Sequence, residues 1–571
     1  MTEETRPRVV IVGAGWSGIT LAKTYLQLDS ETPITLLEAE RTLGGVWSAD
    51  RAYPELQTQV PYGRYESWDL PMSRTDGVKP ERADFIPSCR MHDYLVELAQ
   101  KFNVMDKIRF NISVTHIERH ENGVQWKLRV TDTSKGAEEE IICDKLVIAT
   151  GVHSLHKIPD IPSENFTPLT IHSRFVGQHY HDLHSPDIEV VTVYGGGKSA
   201  YDVVQAASNA EKDVHWVIRT SGAGVGAIVG PEFLGQSTVD SLFTPAMDYL
   251  NPHPLRASWW DRFLHSGRNR FGYWLHWGIT GLFSNIFTNL WRYDENERLR
   301  SLKPPFLDRI IYWQNAPLLA VSGPELIKKI RAGDGISIHR AEIVKLSGRT
   351  IHLHDGSSLQ TDALVYATGY SIHHPIFSQK DSFELGLPVR ISQIPTIAPD
   401  ASWPTQDMLD ADKEVLERFP RLRDPPIQPK SPEWTQYWLY RFIVPFPLLQ
   451  RNDRSLAFVG YLGGGTLSLV ADVSALWAVA WLSGRLEIKR PYEEMVQECD
   501  LLNAFLKRRC INASQAVPYM PFEGLTLMKQ MLDELGLEPP NLGVWRPHFP
   551  KAYKGITETW LAKNAEYTQR Q

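Results

Sequence analysis

The chain has 571 residues, of which 42% are hydrophobic, 22% are charged and 11% are aromatic, and its formal net charge is −7. This length predicts two or more domains, and the composition excludes a disordered or coiled-coil chain. The acidic balance excludes a dedicated nucleic-acid binder, and four scattered cysteines exclude a disulfide framework and a cysteine metal site. The polar amino terminus has no features of a leader peptide, so we expect a cytoplasmic protein.

A glycine-rich turn follows the apolar run at residues 8–12, and apolar residues recur at helical spacing after it. This order of strand, turn and helix is typical of a dinucleotide-binding unit. Its glycines allow a tight turn, a close approach to a diphosphate and close packing of helix on strand. The predicted diphosphate contacts at the start of the helix are Gly13, Ala14, Gly15, Trp16, Ser17 and Gly18.

The next predicted strand ends in Glu38. A carboxylate at this position can accept hydrogen bonds from the ribose hydroxyls of an adenosine. The first unit is therefore predicted to bind FAD.

The same pattern returns after the apolar run at residues 188–194, with alanine in place of the third glycine. The predicted contacts in this second turn are Gly195, Gly197, Lys198, Ser199 and Ala200. The following strand ends at Arg219, whose guanidinium suits a bidentate bond to a 2′-phosphate, and Thr220 is a further candidate. The second unit is therefore predicted to bind NADPH. A solvated lysine and an ordinary loop hydroxyl remain the alternatives for Lys198 and Thr220.

Two Ala-Thr-Gly turns, at residues 149–151 and 367–369, each follow a buried apolar strand. Turns of this kind link the two units in flavoproteins with two dinucleotide-binding folds. We therefore expect an α/β fold with two Rossmann-type domains, the NADPH-binding domain being inserted in the FAD-binding domain. The predicted boundaries are 1–180 for the first part of the FAD-binding domain, 181–365 for the NADPH-binding domain with an aromatic-rich helical insertion at about 225–335, and 366–571 for the second part and the carboxy-terminal region.

These motifs, together with the Gly-Gly-Val-Trp run at residues 44–47, resemble the flavin-containing monooxygenase superfamily with its Baeyer–Villiger and N-hydroxylating relatives. The resemblance covers most of the chain outside about 225–335. It implies that Gly45 and Trp47 pack against the flavin, and that the glycine run at 463–466 opens a helix over 467–482 that faces it. It also implies that NADPH reduces the flavin, which forms a peroxyflavin and inserts one oxygen atom from O₂ into a substrate.

The family fingerprint between the two units is incomplete here. Phe166 and His172 keep its spacing, but proline stands at position 168 in place of glycine and Val176 in place of an aromatic residue. This departure disfavours Baeyer–Villiger activity, and we interpret His172 as a hinge or domain-contact residue.

The catalytic candidates also come from the resemblance. Thr58 and Gln59 stand where animal-type members carry Thr-Asn, so Thr58 is a predicted cofactor contact and Gln59 the predicted catalytic amide. Asp69 is the second catalytic candidate, with a capping or turn role as its alternative.

Residues 271–291 contain no Asp, Glu, Lys or Arg and are long enough to cross a bilayer. Polar residues at every fourth position instead favour a lid or subdomain helix that covers a substrate pocket. Its members are His276, Thr280, Ser284 and Thr288, widened by Asn285 and Asn289. A helix lying on a membrane surface and a true span are the alternatives.

The sequence thus predicts an FAD- and NADPH-dependent monooxygenase of a small apolar, secondary-metabolite-like substrate, with O₂ as the second substrate and no metal. An oxidase or dehydrogenase that inserts no oxygen is one alternative, and Baeyer–Villiger oxidation of a ketone is another. A pyridine-nucleotide disulfide reductase would need a redox cysteine pair, and a non-catalytic FAD-binding scaffold would not need Arg219.

Overall fold

The computed structural model describes residues 6–81, 83–221, 224–233, 235–304, 309–313, 318–321, 323–427, 432–464, 467–511, 518–520 and 523–568. In these ranges the protein is a mixed α/β fold that contains two five-stranded parallel sheets. Each sheet has a hydrophobic cluster of buried side chains around it.

The first parallel sheet joins strands from distant parts of the chain. Its order is Leu456–Phe458, Lys145–Ile148, Val9–Val12, Ile34–Leu37 and Ile108–Arg109. The three central strands are almost wholly buried, as expected for apolar runs covered on both faces. The associated helices are Trp16–Leu28, Ser88–Lys101 and Leu467–Leu482. An antiparallel sheet of Ile112–Arg119, Trp126–Asp132 and Ala137–Cys143 precedes strand Lys145–Ile148 in the chain.

The second parallel sheet has the order Leu169–His172, Ala363–Tyr366, Val190–Tyr194, Asp213–Val217 and Ile336–His339. Helix Lys198–Asn209 connects its third and fourth strands. A four-stranded sheet follows in the same region, in the order Ser163–Glu164, Ile343–Ser347, Thr350–Leu353 and Ser358–Gln360.

Two chain segments connect the parallel sheets, and they pair with each other. Strand Leu155–His156 runs antiparallel to Tyr370–Ser371. The chain therefore leaves the first sheet and returns to it through one two-stranded link. A further short antiparallel pair, Gln57–Pro61 with Phe85–Pro87, carries the predicted Thr58 and Gln59.

The segment between strands Asp213–Val217 and Ile336–His339 is mainly helical. Its helices are Thr238–Leu242, Pro245–Leu250, Trp259–His265, Arg270–Trp291, Glu297–Ser301, Ile310–Trp313 and Glu325–Ala332. Its strands are Ala227–Val229, Glu232–Phe233, Gln236–Ser237 and Leu318–Ala320. Within the described part of the chain, no helix has the length and apolar content that a bilayer crossing requires.

The chain after the second sheet adds helices around the first one. They are Gln379–Glu384, Ile394–Ile397, Gln406–Arg418, Phe446–Gln450, Tyr492–Arg509, Gly524–Glu534 and Ile556–Thr568. The helix expected over 467–482 is present at Leu467–Leu482 and is followed by Gly484 at a φ of +76°. Residues 465 and 466 of the predicted glycine run lie outside the described residues.

Candidate active site

The first glycine turn has no room for side chains at its two outer glycines. Gly13 has a φ of +106°, and a Cβ there would lie 2.7 Å from the carbonyl oxygen of Ala149. A Cβ on Gly18 would lie 2.0 Å from the carbonyl oxygen of Gly13. Gly15 is the N-cap of helix Trp16–Leu28 and supplies no side-chain cap. The first N–H groups of this helix are therefore available to an anionic group.

The Gly-Gly-Val-Trp segment lies against this turn. Gly44 donates its backbone N–H to the carbonyl oxygen of Ala14 at 2.9 Å. Gly15 and Gly45 face each other, since a Cβ on Gly15 would lie 3.6 Å from the Gly45 Cα. Two chain segments thus approach each other closely through glycines, which leaves backbone rather than side chains beside the helix start.

An aromatic group adjoins the same turn. The Trp16 and Tyr65 rings are 4.8 Å apart between centroids, and the Trp47 indole N–H donates to the Tyr65 hydroxyl at 3.3 Å. The buried indole N–H of Trp16 has no hydrogen-bond partner among the described residues. An unpaired buried donor beside a glycine turn fits a bound polar group. Sequence reasoning missed Tyr65, since no motif marks it.

Glu38 lies beside the turn with only 7% of its surface exposed. Its carboxylate accepts hydrogen bonds from the backbone N–H of Ala14 at 2.8 Å and of Glu40 at 2.9 Å. Burial raises the pKa of Glu38, and these two hydrogen bonds act in the opposite direction. The carboxylate is thus held rigidly next to the predicted diphosphate site.

The late part of the chain reaches the same edge of the first sheet. Gly460 follows strand Leu456–Phe458, and a Cβ there would lie 2.6 Å from the Ser17 hydroxyl oxygen. The hydroxyl groups of Thr150 and Tyr461 are 2.8 Å apart. The carboxyl ends of the three neighbouring strands therefore converge here, which is where ligands bind in open parallel sheets.

A buried ion cluster joins the two helices that begin at this edge. The Lys23 ammonium on helix Trp16–Leu28 lies 2.7 Å from the Asp69 carboxylate and 3.1 Å from that of Asp472 on helix Leu467–Leu482. Burial by itself lowers the pKa of Lys23, but the two carboxylates outweigh it and raise that pKa. Asp69 is thus engaged in an ion pair with Lys23.

Thr58 and Gln59 occupy neighbouring positions in strand Gln57–Pro61. The buried Thr58 hydroxyl donates to the carbonyl oxygen of Val60 at 2.6 Å and accepts from the N–H of Ile86 at 2.9 Å. Successive strand side chains point to opposite faces, so Gln59, which is half-buried, points away from Thr58. The hydroxyl of Thr58 fixes the strand, while Gln59 faces the other side.

The second glycine turn repeats the construction of the first. Gly195 has a φ of +148°, and a Cβ there would lie 2.2 Å from the carbonyl oxygen of Ala367, in the second Ala-Thr-Gly turn. Gly197 is the N-cap of helix Lys198–Asn209 and supplies no side-chain cap, and a Cβ there would point into open space. The side chain of Ala200 is fully buried, and that of Ser199 is half-buried.

Lys198 connects the second turn to the strand of Thr58 and Gln59. Its ammonium lies 2.6 Å from the buried Asp202 carboxylate and donates to the carbonyl oxygen of Gln57 at 3.2 Å. The second glycine turn therefore lies next to strand Gln57–Pro61, and Tyr65, four residues beyond that strand, contacts Trp16 of the first turn. The lysine bonds to protein groups here, and Asp202 is a partner that sequence reasoning missed.

Arg219 and Thr220 are exposed beyond the carboxyl end of strand Asp213–Val217. Glu342, next to them, accepts from the N–H of Ser221 at 3.0 Å and from the Tyr194 hydroxyl at 3.2 Å. Burial alone raises the pKa of Glu342, but the bonds from Ser221 and Tyr194 and the nearby Arg219 guanidinium lower it. An exposed guanidinium at the edge of a nucleotide-binding sheet is available to a phosphate from solution.

His172 is buried in the connection between the sheets. The N–H of Arg174 donates to its Nδ1 at 3.1 Å, so its Nε2 carries the proton and donates to the carbonyl oxygen of Gly369 at 3.1 Å. Burial, with a smaller contribution from His156, lowers the pKa of His172 to about 4. A neutral histidine that bridges a linker and the second Ala-Thr-Gly turn fits the interpretation of His172 as a contact residue.

A small cleft that opens to solvent lies at the start of helix Leu467–Leu482, and its cavity volume of about 10 Å³ is room for about one water molecule. One wall is the ion pair between Arg64, just beyond strand Gln57–Pro61, and Asp240 of the inserted segment, which are 2.8 Å apart. The Ser468 hydroxyl holds the Arg64 carbonyl oxygen at 3.1 Å. The apolar lining residues are Val239, Phe243, Leu469, Pro547 and Pro550.

Known proteins resemble this chain both in part and over its full length. The sequence profile of the pyridine nucleotide-disulphide oxidoreductase family matches residues 7–231. Over its full length, the chain is 33% identical to FAD-dependent monooxygenase resA of Aspergillus sclerotiorum and 32% identical to FAD-dependent monooxygenase rstn6 of Aspergillus nomiae. Each alignment covers 97% of this chain and 98% of the relative.

Solved structures give the same fold. Cyclohexanone monooxygenase from Rhodococcus sp. Phi1 aligns with a TM-score of 0.56 and 17% identity, covering 93% of this chain and 97% of that one. S-allyl-L-cysteine S-oxygenase from Allium sativum aligns with a TM-score of 0.53 and 15% identity, covering 99% and 94%. The fold is therefore that of flavin monooxygenases. With the full-length relatives above, the chain belongs to the FAD-dependent monooxygenases, and the predicted family and enzyme class are confirmed.

The cysteines do not form the redox pair that the partial family match could suggest. All four cysteines are within the described residues and none of them forms a disulfide there, and Cys143, Cys499 and Cys510 are buried. Burial raises the pKa of both Cys143 and Cys499, which makes these thiols poor nucleophiles. The match to residues 7–231 therefore reflects the shared nucleotide-binding architecture.

Proposed function

We propose that this enzyme uses NADPH and FAD to insert one oxygen atom from O₂ into a small apolar organic molecule. The observation that carries the proposal is the contact between Lys198 and Gln57, which holds the second glycine turn beside strand Gln57–Pro61. Four residues beyond this strand, Tyr65 contacts Trp16 at the start of the first helix, so one stretch of chain contacts both uncapped helix starts. This arrangement suits the transfer of a hydride between two bound nucleotides.

The proposed domain division follows the two sheets except at its first boundary, because strand Leu169–His172 precedes residue 181 and belongs to the second sheet. An FAD-binding domain comprises 1–180 and 366–571, and an NADPH-binding domain of Rossmann type comprises 181–365. Strand Leu456–Phe458 pairs with Lys145–Ile148 across the intervening chain, and this pairing supports an insertion of the second domain in the first.

In the first turn, the free N–H groups after Gly15 would hold the FAD diphosphate and Glu38 would accept from its ribose. The unpaired indole N–H of Trp16 supports a polar ligand group here. Gly45 and Trp47 would cover the flavin side. The contacts proposed for FAD are Gly13, Ala14, Gly15, Trp16, Ser17, Gly18, Glu38, Gly45, Trp47 and Thr58.

In the second turn, Gly197 offers open space for the NADPH diphosphate, and Arg219 would bind the 2′-phosphate. Thr220 stands next to Arg219 and adds a hydroxyl. Lys198 would hold the turn in place through Asp202 and Gln57 rather than through a phosphate. The contacts proposed for NADPH are Gly195, Gly197, Ser199, Ala200, Arg219 and Thr220.

FAD supplies the hydride acceptor and, once reduced, the means of activating O₂. Gln59 would donate and accept hydrogen bonds at the reacting end of the nicotinamide, because its strand is the one that the second turn contacts. Asp69 would act as a positioning residue, since its carboxylate holds Lys23 between the two helices that begin at the site.

The substrate would enter the cleft at the start of helix Leu467–Leu482. Its walls are mainly apolar and also carry His548 and the ion pair between Arg64 and Asp240. Such walls favour an apolar molecule with few polar groups, for which the cleft would have to widen.

The test follows NADPH, oxygen and product together. The purified yellow protein is given NADPH and isotopically labelled O₂ with an apolar ketone, sulfide or tertiary amine as probe. We expect probe-dependent NADPH oxidation and one labelled oxygen atom in the product. NADPH oxidation that yields hydrogen peroxide and an unlabelled probe throughout the series would instead identify an oxidase. NADH in place of NADPH serves as the control for the nucleotide assignment.

A further inference from the structure

The long helix Arg270–Trp291 of the inserted segment packs with its polar side inwards. His276, Thr280 and Ser284 are at most 2% exposed. The Nε2 of His276 donates to the Leu250 carbonyl oxygen at 2.9 Å, and Arg421 donates to its Nδ1 at 3.2 Å. Burial lowers the pKa of His276 to about 3, so the ring is neutral and belongs to the interior. These three members of the polar stripe therefore do not face water, whereas Asn285 and Asn289 are exposed. The side chain of Thr288 lies outside the described residues.

The opposite side of this helix is apolar and exposed. We call this surface the outer face, and it comprises Trp259, Trp260, Phe271, Trp274, Leu275, Leu282, Ile286 and Leu290. Phe271 is 73% exposed, and Trp274 and Leu282 are each 61% exposed. Trp259 and Trp260 extend the face at the amino end, through Phe263, whose ring contacts both Trp259 and Phe271. An exposed apolar surface about 33 Å long is unusual for a helix surrounded by water.

The charges within the outer face's own stretch of chain have one sign. Residues 262–293 contain no Asp or Glu, and the exposed cations in this stretch are Arg262, Arg268, Arg270 and Arg292. The nearest carboxylates on either side are neutralised, since Asp261 is buried against Arg256 and Asp294 lies 2.8 Å from the Lys303 ammonium. The outer face is thus an apolar strip whose own stretch of chain contributes only positive charge, although the exposed Asp424 lies near Tyr273 of the same helix.

We propose that the outer face binds an anionic phospholipid surface, with helix Arg270–Trp291 lying in the plane of the interface. Its aromatic and leucine side chains would enter the boundary between headgroups and acyl chains, and the arginines would contact the phosphates. This inference goes beyond the proposed function and does not depend on it.

A second copy of the chain is the competing occupant, and the charges disfavour it. Pairing two outer faces around a twofold axis would bring Arg268 and Arg270 of one copy towards either the same residues or Arg292 of the other. Like charges would then meet in a desolvated interface, where they repel strongly. An anionic membrane supplies the opposite charge along the whole margin.

The inserted segment also contributes to the proposed substrate cleft. Val239 and Phe243 line the cleft, and they belong to the same segment as the outer face. Membrane binding would therefore bring the cleft close to apolar molecules that are dissolved in lipid.

The experiment uses the full-length, FAD-loaded protein and sedimentation with vesicles. One set of vesicles is phosphatidylcholine alone, and the other is equimolar phosphatidylcholine and phosphatidylserine. We expect binding to the anionic vesicles that weakens as salt is added, because salt screens the arginines. Equal and negligible sedimentation with both kinds of vesicle would overturn the proposal.

Two variants separate the apolar and the charged contributions. Leu282→Glu should weaken vesicle binding by about tenfold or more, since it places a carboxylate in the strip. Arg268→Gln and Arg270→Gln should each weaken binding to anionic vesicles by about fivefold. The matched control is Leu409→Glu, because Leu409 is a 44% exposed leucine on helix Gln406–Arg418, outside the outer face.

Flavin content and thermal midpoint show whether each variant is folded, and NADPH oxidation in the same samples reports separately on the proposed function. Sedimentation velocity without lipid tests the competing occupant. A dimer that Leu282→Glu dissociates, in a protein that ignores both kinds of vesicle, would assign the outer face to a second copy and overturn the proposal.

Discussion

Gly13 and Gly195 occupy equivalent places in the two parallel sheets. Each follows the central strand of its sheet, and a Cβ on each would lie against the carbonyl oxygen of an Ala-Thr-Gly turn, at Ala149 or Ala367. Each turn leads into a helix whose N-cap is a glycine without a side-chain cap. The same local construction has therefore been used twice, for two anion-binding helix starts.

The surroundings of the two turns differ. Gly15 of the first turn faces Gly45, and the acid beside it, Glu38, is buried. Gly197 of the second turn has open space, and the base beyond it, Arg219, is exposed. A closed site suits a nucleotide that stays bound, and an open site suits one that exchanges with solution. Under the proposed function, the closed site would hold FAD and the open site would hold NADPH.

The largest expected effect comes from the third position of each turn. Gly18→Ala would place a methyl group 2.0 Å from the Gly13 carbonyl oxygen, so the helix must move away from the strand. We expect a loss of about 3 kcal/mol in the free energy of unfolding and loss of bound flavin. Flavin absorbance after gel filtration and the thermal midpoint measure both.

The matched change in the second turn is Ala200→Gly. It removes a methyl group that fits and should cost only about 1 kcal/mol through helix propensity, with flavin retained. Equal losses from the two substitutions would show that the turns do not differ in packing at this position.

The next effect concerns Glu38. Glu38→Ala leaves the Ala14 N–H without its acceptor and removes the proposed ribose contact, so FAD affinity should fall by about a hundredfold. Titration of the apoprotein with FAD, followed by flavin fluorescence, gives the affinity. Glu38→Gln keeps one acceptor oxygen and should lose less, about tenfold. Full flavin affinity in the alanine variant would exclude Glu38 from the FAD site.

A smaller effect is expected at the open site. Arg219→Ala should raise the KM for NADPH by about tenfold to thirtyfold and leave the KM for NADH nearly unchanged, because only NADPH carries the 2′-phosphate. Steady-state nucleotide oxidation measures both constants. Flavin content should stay at the wild-type level, which separates this site from the first. An unchanged ratio of the two KM values would contradict the assignment of Arg219.

The local units of this fold could be predicted because their signals lie in short stretches. An apolar run, a glycine turn and an apolar helix are contiguous in the sequence, so both units and helix Leu467–Leu482 could be recognised. The α/β class follows from such repeated units. The roles of individual residues within the turns stay predictions that the variants above test.

Contacts between distant segments could not be predicted from patterns. Lys23 and Asp472 are 449 positions apart, and no local feature of either stretch identifies the partner. Lys198 suggested a phosphate ligand because it follows a glycine turn, yet its ammonium bonds to Asp202 and to the carbonyl oxygen of Gln57. The partner of such a side chain depends on tertiary packing, which a local sequence pattern does not contain.

The orientation of helix Arg270–Trp291 was equally hidden. A polar stripe on an apolar helix normally predicts a solvated face. Here His276 finds partners in Leu250 and Arg421, which lie in other helical regions, so its polar ring is satisfied inside while Asn285 and Asn289 of the same stripe are exposed. Amphipathic pattern alone therefore does not tell which side of a helix is buried.

The smallest effect distinguishes how the two Ala-Thr-Gly turns are anchored. The first is tied by the hydroxyl groups of Thr150 and Tyr461, which do not titrate near neutral pH, and the second by His172, which donates to Gly369. Burial lowers the pKa of His172 in the folded protein to about 4. Below its ordinary value of about 6.5, the unfolded chain takes up a proton that the folded protein does not.

The contribution of neutral His172 is therefore complete above about pH 6.5 and is lost as the pH falls towards 4, by up to about 3 kcal/mol. His172→Gln should destabilise the protein near neutral pH, and this difference from the wild type should shrink or reverse at about pH 5. Thr150→Val, at the first turn, should show the same difference at both pH values. Thermal midpoints at the two pH values measure these differences, and a pH-independent effect of His172→Gln would contradict the buried neutral state of this ring.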